Sequence, residues 1–177
     1  KKEKETLPKK VSNEKDYLKC LSYLVLSLYV LISPRRVKDY HEMLVVPEYK
    51  EGMMKEHNYL DVKNKKFVCN NYKTKGAYGQ QVEEIPKELF DILKKMIIPK
   101  EKNFEPIDMI TTYEGVKPAG NYITRLLNSV FKKNVSASLL RNIFVSHKLG
   151  NSKNEAKELA QEMASSVNVL QNVYNKD

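Results

Sequence analysis

Ser136-Ala-Ser-Leu-Leu-Arg-Asn-Ile-Phe-Val-Ser-His147, followed by Met163-Ala-Ser-Ser-Val-Asn-Val-Leu-Gln-Asn-Val-Tyr174, is the part of this 177-residue chain whose reading decides the fold. The first stretch predicts a helix over 138–149, buried through Leu139, Leu140, Ile143 and Phe144 and stopped by Gly150. Arg141 lies on that helix, and Ser138 is one turn away on the same side. His147 falls with Leu140, Ile143 and Phe144 and reads as a core or near-core histidine. Ser152 and Glu155 have capping-box spacing and begin a further helix ending near Met163. A last short segment runs from Ser166 to Tyr174.

Upstream of it the chain alternates helix and sheet. Leu18, Leu21, Val25, Leu28 and Ile32 recur at three- and four-residue steps, predicting a helix over 16–32 that Ser33-Pro34 ends. A shorter helix is expected from Arg35 to about Met43. Tyr59–Val62, Lys66–Asn71 and Gln80–Ile85 have strand character, and Lys75-Gly-Ala-Tyr-Gly79 supplies a turn between the last two. These predict a three-stranded antiparallel sheet on a mainly helical α+β domain. Pro86 opens a helix whose Leu89, Phe90, Leu93 and Ile97 form an apolar stripe, and another helix covers 120–131.

Composition sets limits on partners. Thirty-one Lys and Arg against 22 Asp and Glu give a formal charge of +9, which favours a polyanion by electrostatics alone. Cys20 and Cys69 are too few for a disulfide framework or zinc site and read as small core residues in a reducing compartment. The apolar run Leu18–Ile32 is too short for a membrane span, which needs about 20 residues. Residues 1–15, charged and holding Pro8, read as a solvated arm or linker, with one domain over 16–177. The chain begins with Lys1, so a fragment or processed product lacking an upstream domain is expected.

Four points stand out when taken together: Arg36 after Pro34-Arg35, Lys73 beside a hairpin turn, Arg141 on a helix, and Tyr174 near the end. The quoted C-terminal third resembles the tyrosine recombinase family, which carries a histidine-x-x-arginine box on a helix. That family then places its nucleophilic tyrosine nine residues after a second histidine, and Ser165 to Tyr174 keeps that interval. Pro34-Arg-Arg-Val-Lys-Asp39 looks like the first arginine box of integrases of large DNA viruses and related mobile elements. Tyr72-Lys-Thr-Lys-Gly76 resembles the family's β-hairpin lysine. The likeness covers roughly 16–177, in the family's motif order.

The resemblance implies a site-specific recombinase or integrase acting on double-stranded DNA inside a cell, in a host nucleus or a cytoplasmic viral compartment. It implies an upstream DNA-binding domain absent from this chain, assembly as a tetramer on DNA from a free monomer or dimer, and chemistry without a metal or cofactor. Arg36 and Arg141 would grip the scissile phosphate, since each guanidinium can hold two oxygens in a fixed plane. Lys73 would protonate the leaving 5′-oxygen, and Tyr174 would form a 3′-phosphotyrosyl link that conserves the bond energy. Arg35 rivals Arg36, which we prefer because Asp39 then follows three residues later as a brace; Lys75 rivals Lys73. Each residue alone also has an ordinary reading: a solvated basic turn, a surface lysine, a packing tyrosine. Ser138 and Ser165 stand where the family has histidine (or tryptophan), and Ala164 where it has glycine. Serine can donate to a phosphate oxygen but is no base near neutral pH. A type IB topoisomerase-like enzyme, a telomere resolvase, and a decayed DNA-binding module of the same fold are the competing expectations.

Overall fold

A computed structural model describes residues 8, 10–149, 159, 160 and 163. Helix α1 (Glu14–Val30) starts where the Asn13 side chain accepts from the Asp16 amide at 3.0 Å, relieving one of the orphan donors of a first turn. Its Leu21, Leu24, Val25 and Leu28 are buried in the main core. The helix stops at Val30, before the Ser33-Pro34 pair is reached.

The expected helix from Arg35 to Met43 is shorter, α2 (Val37–His41). Arg36 is its extended N-cap, and Met43 already belongs to strand β1 (Met43–Val46). Strands β2 (Asn58–Asp61), β3 (Lys66–Cys69) and β4 (Gln81–Glu84) follow, with a single helical turn α3 (Lys75–Tyr78) where a turn was expected between β3 and β4. Next come α4 (Lys87–Met96), β5 (Ile107–Asp108), α5 (Tyr122–Phe131) and α6 (Ala137–Leu149).

The expectation of a three-stranded antiparallel sheet is corrected. The sheet has five strands in the order β4-β3-β2-β1-β5. β2, β3 and β4 form the antiparallel trio, but β1 adds parallel to β2, Met43 opposite Asn58, and β5 pairs antiparallel with β1. β1 was hidden because a strand buried on both faces is a continuous apolar run, with no alternation to distinguish it from a helix end.

One main core lies between the sheet and the helices, where α1 packs against α4 and α5. Leu89, Ile92 and Leu93 form the inward side of α4. A smaller cluster joins Val145 of α6 to Leu159, Ala160 and Met163. The burial expected for α6 is also corrected. Leu139 and Ile143 are 42% and 57% exposed, and His147 is exposed rather than in the core. Ala137 and Val145 are buried instead, with Leu140, Arg141 and Phe144 half-buried on the same side. Apolar residues occur all round this helix, so its pattern left the inward side undecided. The expected helix from Ser152, the segment 166–174, the arm before Pro8, Ser165 and Tyr174 lie outside the described residues.

Candidate phosphate-binding site

Arg141 carries its guanidinium from the inward side of α6 to the turn that precedes α2. Its Nε donates to the Pro34 carbonyl at 3.1 Å, and its Nη2 donates to the Met163 carbonyl at 3.0 Å. Residues 107 positions apart in the chain thereby meet. Arg36, two residues beyond Pro34, is half-exposed at the N-terminus of α2. Burial, and after it the like charge of Arg36, lowers the Arg141 guanidinium from its ordinary value, while Asp39 pulls the other way. Two cations that repel each other at one turn form a place where an anion is stabilised.

Arg35 takes a different course. Its side chain is 1% exposed and lies over the Tyr72 ring, 5.0 Å from Cζ to the ring centre. Its Nη2 donates to Gln81 Oε1 at 2.8 Å, and its Nε stands 3.6 Å from Asp39 Oδ2, an ion pair just too long for a hydrogen bond. The Arg35 amide donates to Tyr40 Oη, which itself donates to the Leu28 carbonyl. Asp39, 2% exposed, also accepts from the Arg36 amide at 3.4 Å. Burial pushes the Asp39 carboxyl above its usual range, against the pull of Arg35 first and of the Arg36 amide and charge next.

Lys73 is exposed and directly follows Tyr72. The two residues before Tyr72 are held to the Asp39 backbone by the buried Asn58 of β2. That amide donates to the Asp39 and Asn71 carbonyls and accepts from the Asn70 and Asn71 amides. Lys75, its rival, is exposed in the first turn of α3. Ser138 is exposed, three residues before Arg141 on α6. Arg36 and Arg141 are thus brought to one turn, and Lys73 stands one residue from the Tyr72 ring beneath it. Tyr174 and Ser165 are not described. Among the described residues no group of three His, Cys, Asp or Glu side chains could hold a metal ion, and no helix is long and apolar enough to cross a membrane.

Sequence reasoning missed the buried Arg35, Tyr72 and Gln81 set. The Arg35–Asp39 spacing of four was visible, but such pairs are usually solvated.

No protein-family model and no curated protein matches this chain. Its fold is similar to that of the crystal structure of XerA recombinase, with a TM-score of 0.57 and 14% sequence identity. The match covers 97% of this chain and 60% of that one. At that identity the likeness is one of fold.

Proposed function

We propose that this chain is the strand-transfer domain of a tyrosine recombinase, of the kind found in integrases of large DNA viruses and mobile elements. The observation that carries the reading is the meeting of Arg141 with the Pro34–Arg36 turn, in a fold like that of a recombinase. Arg36 and Arg141 clamp the nonbridging oxygens of a scissile DNA phosphate as charge spreads over them. The Tyr174 hydroxyl passes its proton to a phosphate oxygen or a water as its oxygen bonds phosphorus, the bond to the 5′-oxygen breaks, and the Lys73 ammonium gives that oxygen its proton. Ser138 and Ser165 donate to the phosphate where imidazole would otherwise act. A second 5′-hydroxyl reverses the step without ATP.

Nicked duplexes randomised around the nick, which lose a short flap on cleavage, test this. Wild type is expected to leave a protein–DNA adduct that survives SDS, and Tyr174→Phe to bind DNA without forming it. Equal adduct from both would remove Tyr174 as nucleophile. A second reading, a DNA-binding module with a decayed site, is favoured by the exposed hydroxyl of Ser138 in the histidine position. It predicts DNA binding with no adduct from either chain. Transfer of the captured strand to a second duplex, as against rejoining only to its own end, separates recombination from topoisomerase or resolvase outcomes.

A further inference from the structure

We propose that Arg35 is a positioning residue for Lys73: a buried guanidinium clip that ties the loop carrying the proton donor to the turn carrying the phosphate clamp. The inference rests on the strand-transfer reading above. The connection between β3 and β4 begins at residues just past Cys69 and ends at Gln81. Arg35 touches both of its ends. At the near end it lies over the ring of Tyr72, the residue immediately before Lys73, at 5.0 Å. At the far end it donates to Gln81 Oε1 at 2.8 Å. The loop is also closed on itself, since Tyr72 Oη donates to the Gly79 carbonyl at 2.7 Å. Gly79 adopts φ 66° and ψ −151°, a conformation that only glycine takes without strain, so this closure has a defined shape.

Arg35 can be a clip because it is held from the other side as well. Asp39 stands 3.6 Å from its Nε, and its own amide is bonded to Tyr40 Oη. Arg36 follows it by one peptide. Whatever fixes Arg35 therefore fixes the base of the phosphate-binding arginine and, through Tyr72, the base of the lysine. A lysine stem is flexible, so restraint at its root decides how often the ammonium reaches the leaving oxygen. The planar fork is required: a lysine at position 35 is a point charge, unable to stack on Tyr72 and donate in a fixed direction to Gln81 at once.

The leaving group separates this role from general structural support. With oxygen at the 5′-bridging position, departure needs the Lys73 proton. With sulfur there, a thiolate departs, and a thiol with a pKa of about 8.5 needs little help near neutral pH. A defect confined to placing Lys73 is therefore relieved by sulfur. A defect in the Arg36–Arg141 grip on the nonbridging oxygens is not.

The duplex recovered in the adduct selection is made in both forms and cleaved by the full chain. Arg35→Met is expected to lose about tenfold or more in rate on oxygen, part of the roughly hundredfold or more that a general acid supplies, and to return to the wild-type rate on sulfur. Lys73→Ala should show the same pattern, and Arg36→Ala should be impaired on both. Gln81→Leu, altering a half-exposed residue at the loop's far end, repeats the test with the core intact. Amide exchange over 73–79 is expected to accelerate in Arg35→Met while exchange in α5 stays unchanged. Equal loss on oxygen and sulfur, a wild-type rate on oxygen, or unchanged exchange over 73–79 each overturns the positioning role alone. A wild-type chain that forms no adduct on any duplex overturns the strand-transfer reading, and the positioning role falls with it.

Discussion

Cys69 ends β3 with no exposed surface, and burial pushes its thiol up to about 12. A thiol held that high keeps its proton after the unfolded chain has begun to lose it. Its contribution to stability is therefore complete below an unfolded value of about 8.5 and is lost as pH rises toward the folded one. Above about pH 8.5 the stability difference between wild type and Cys69→Ala should narrow, by a slope approaching 1.4 kcal/mol per pH unit. Urea unfolding at pH 7, 9 and 10 measures this, and a constant difference would contradict it. The reading of Cys69 as a small core residue needed only its strand-like neighbours. The burial of Arg35 could not be read in the same way. Charged side chains enter a core only when partners meet them, and those partners, Tyr72 just after β3 and Gln81 at the start of β4, lie too far along the chain for a local pattern to join them to Arg35. Asp39 was expected to brace Arg36; its Oδ2 accepts from that residue's amide and also pairs with the Arg35 side chain.

At the scale of elements, helices with a single apolar side were legible, and helices without one were not. α4 follows its periodic leucines and α1 its three- and four-residue steps, each within a few residues of the expected bounds. On α6 the apolar residues surround the axis, and the inward side was decided by what α6 packs on: α1, the Pro34 turn, and the Leu159–Met163 cluster. That rotation is also why Arg141 faces inward. It makes a paired prediction. Val145→Ala, which empties space in the small cluster, should cost about 2 kcal/mol. Ile143→Ala, at a 57% exposed position, should change stability by no more than about 0.5 kcal/mol. Thermal unfolding of the two variants checks it, and the reverse order would mean that α6 is turned the other way. β5 was illegible for a simpler reason: two residues, Ile107 and Asp108, are too few to show a period.

For the whole molecule, the charge of +9 is the property most directly tied to a polyanionic partner. Binding of duplex DNA should weaken steeply with salt as phosphate contacts release counterions. Replacing Arg36 or Arg141 by Ala should each reduce the slope of log affinity against log salt by about 1. Fluorescence anisotropy across a salt series measures it, and a flat response in wild type would argue against DNA altogether. The sheet has a further consequence, for the order in which the molecule is assembled. β2, β3 and β4 can zip outward from short connections, but β1 must find β2 in parallel register across residues 47–57, and β5 arrives later still from position 107. Until β1 docks, the open edge of β2 offers a row of unpaired amides and carbonyls to any passing strand, and after that the open edge of β1 does so until β5 pairs with it. Partly folded molecules at high concentration are thus most apt to stick to one another through β2 or β1, and pairing of β5 with β1 closes that side of the sheet.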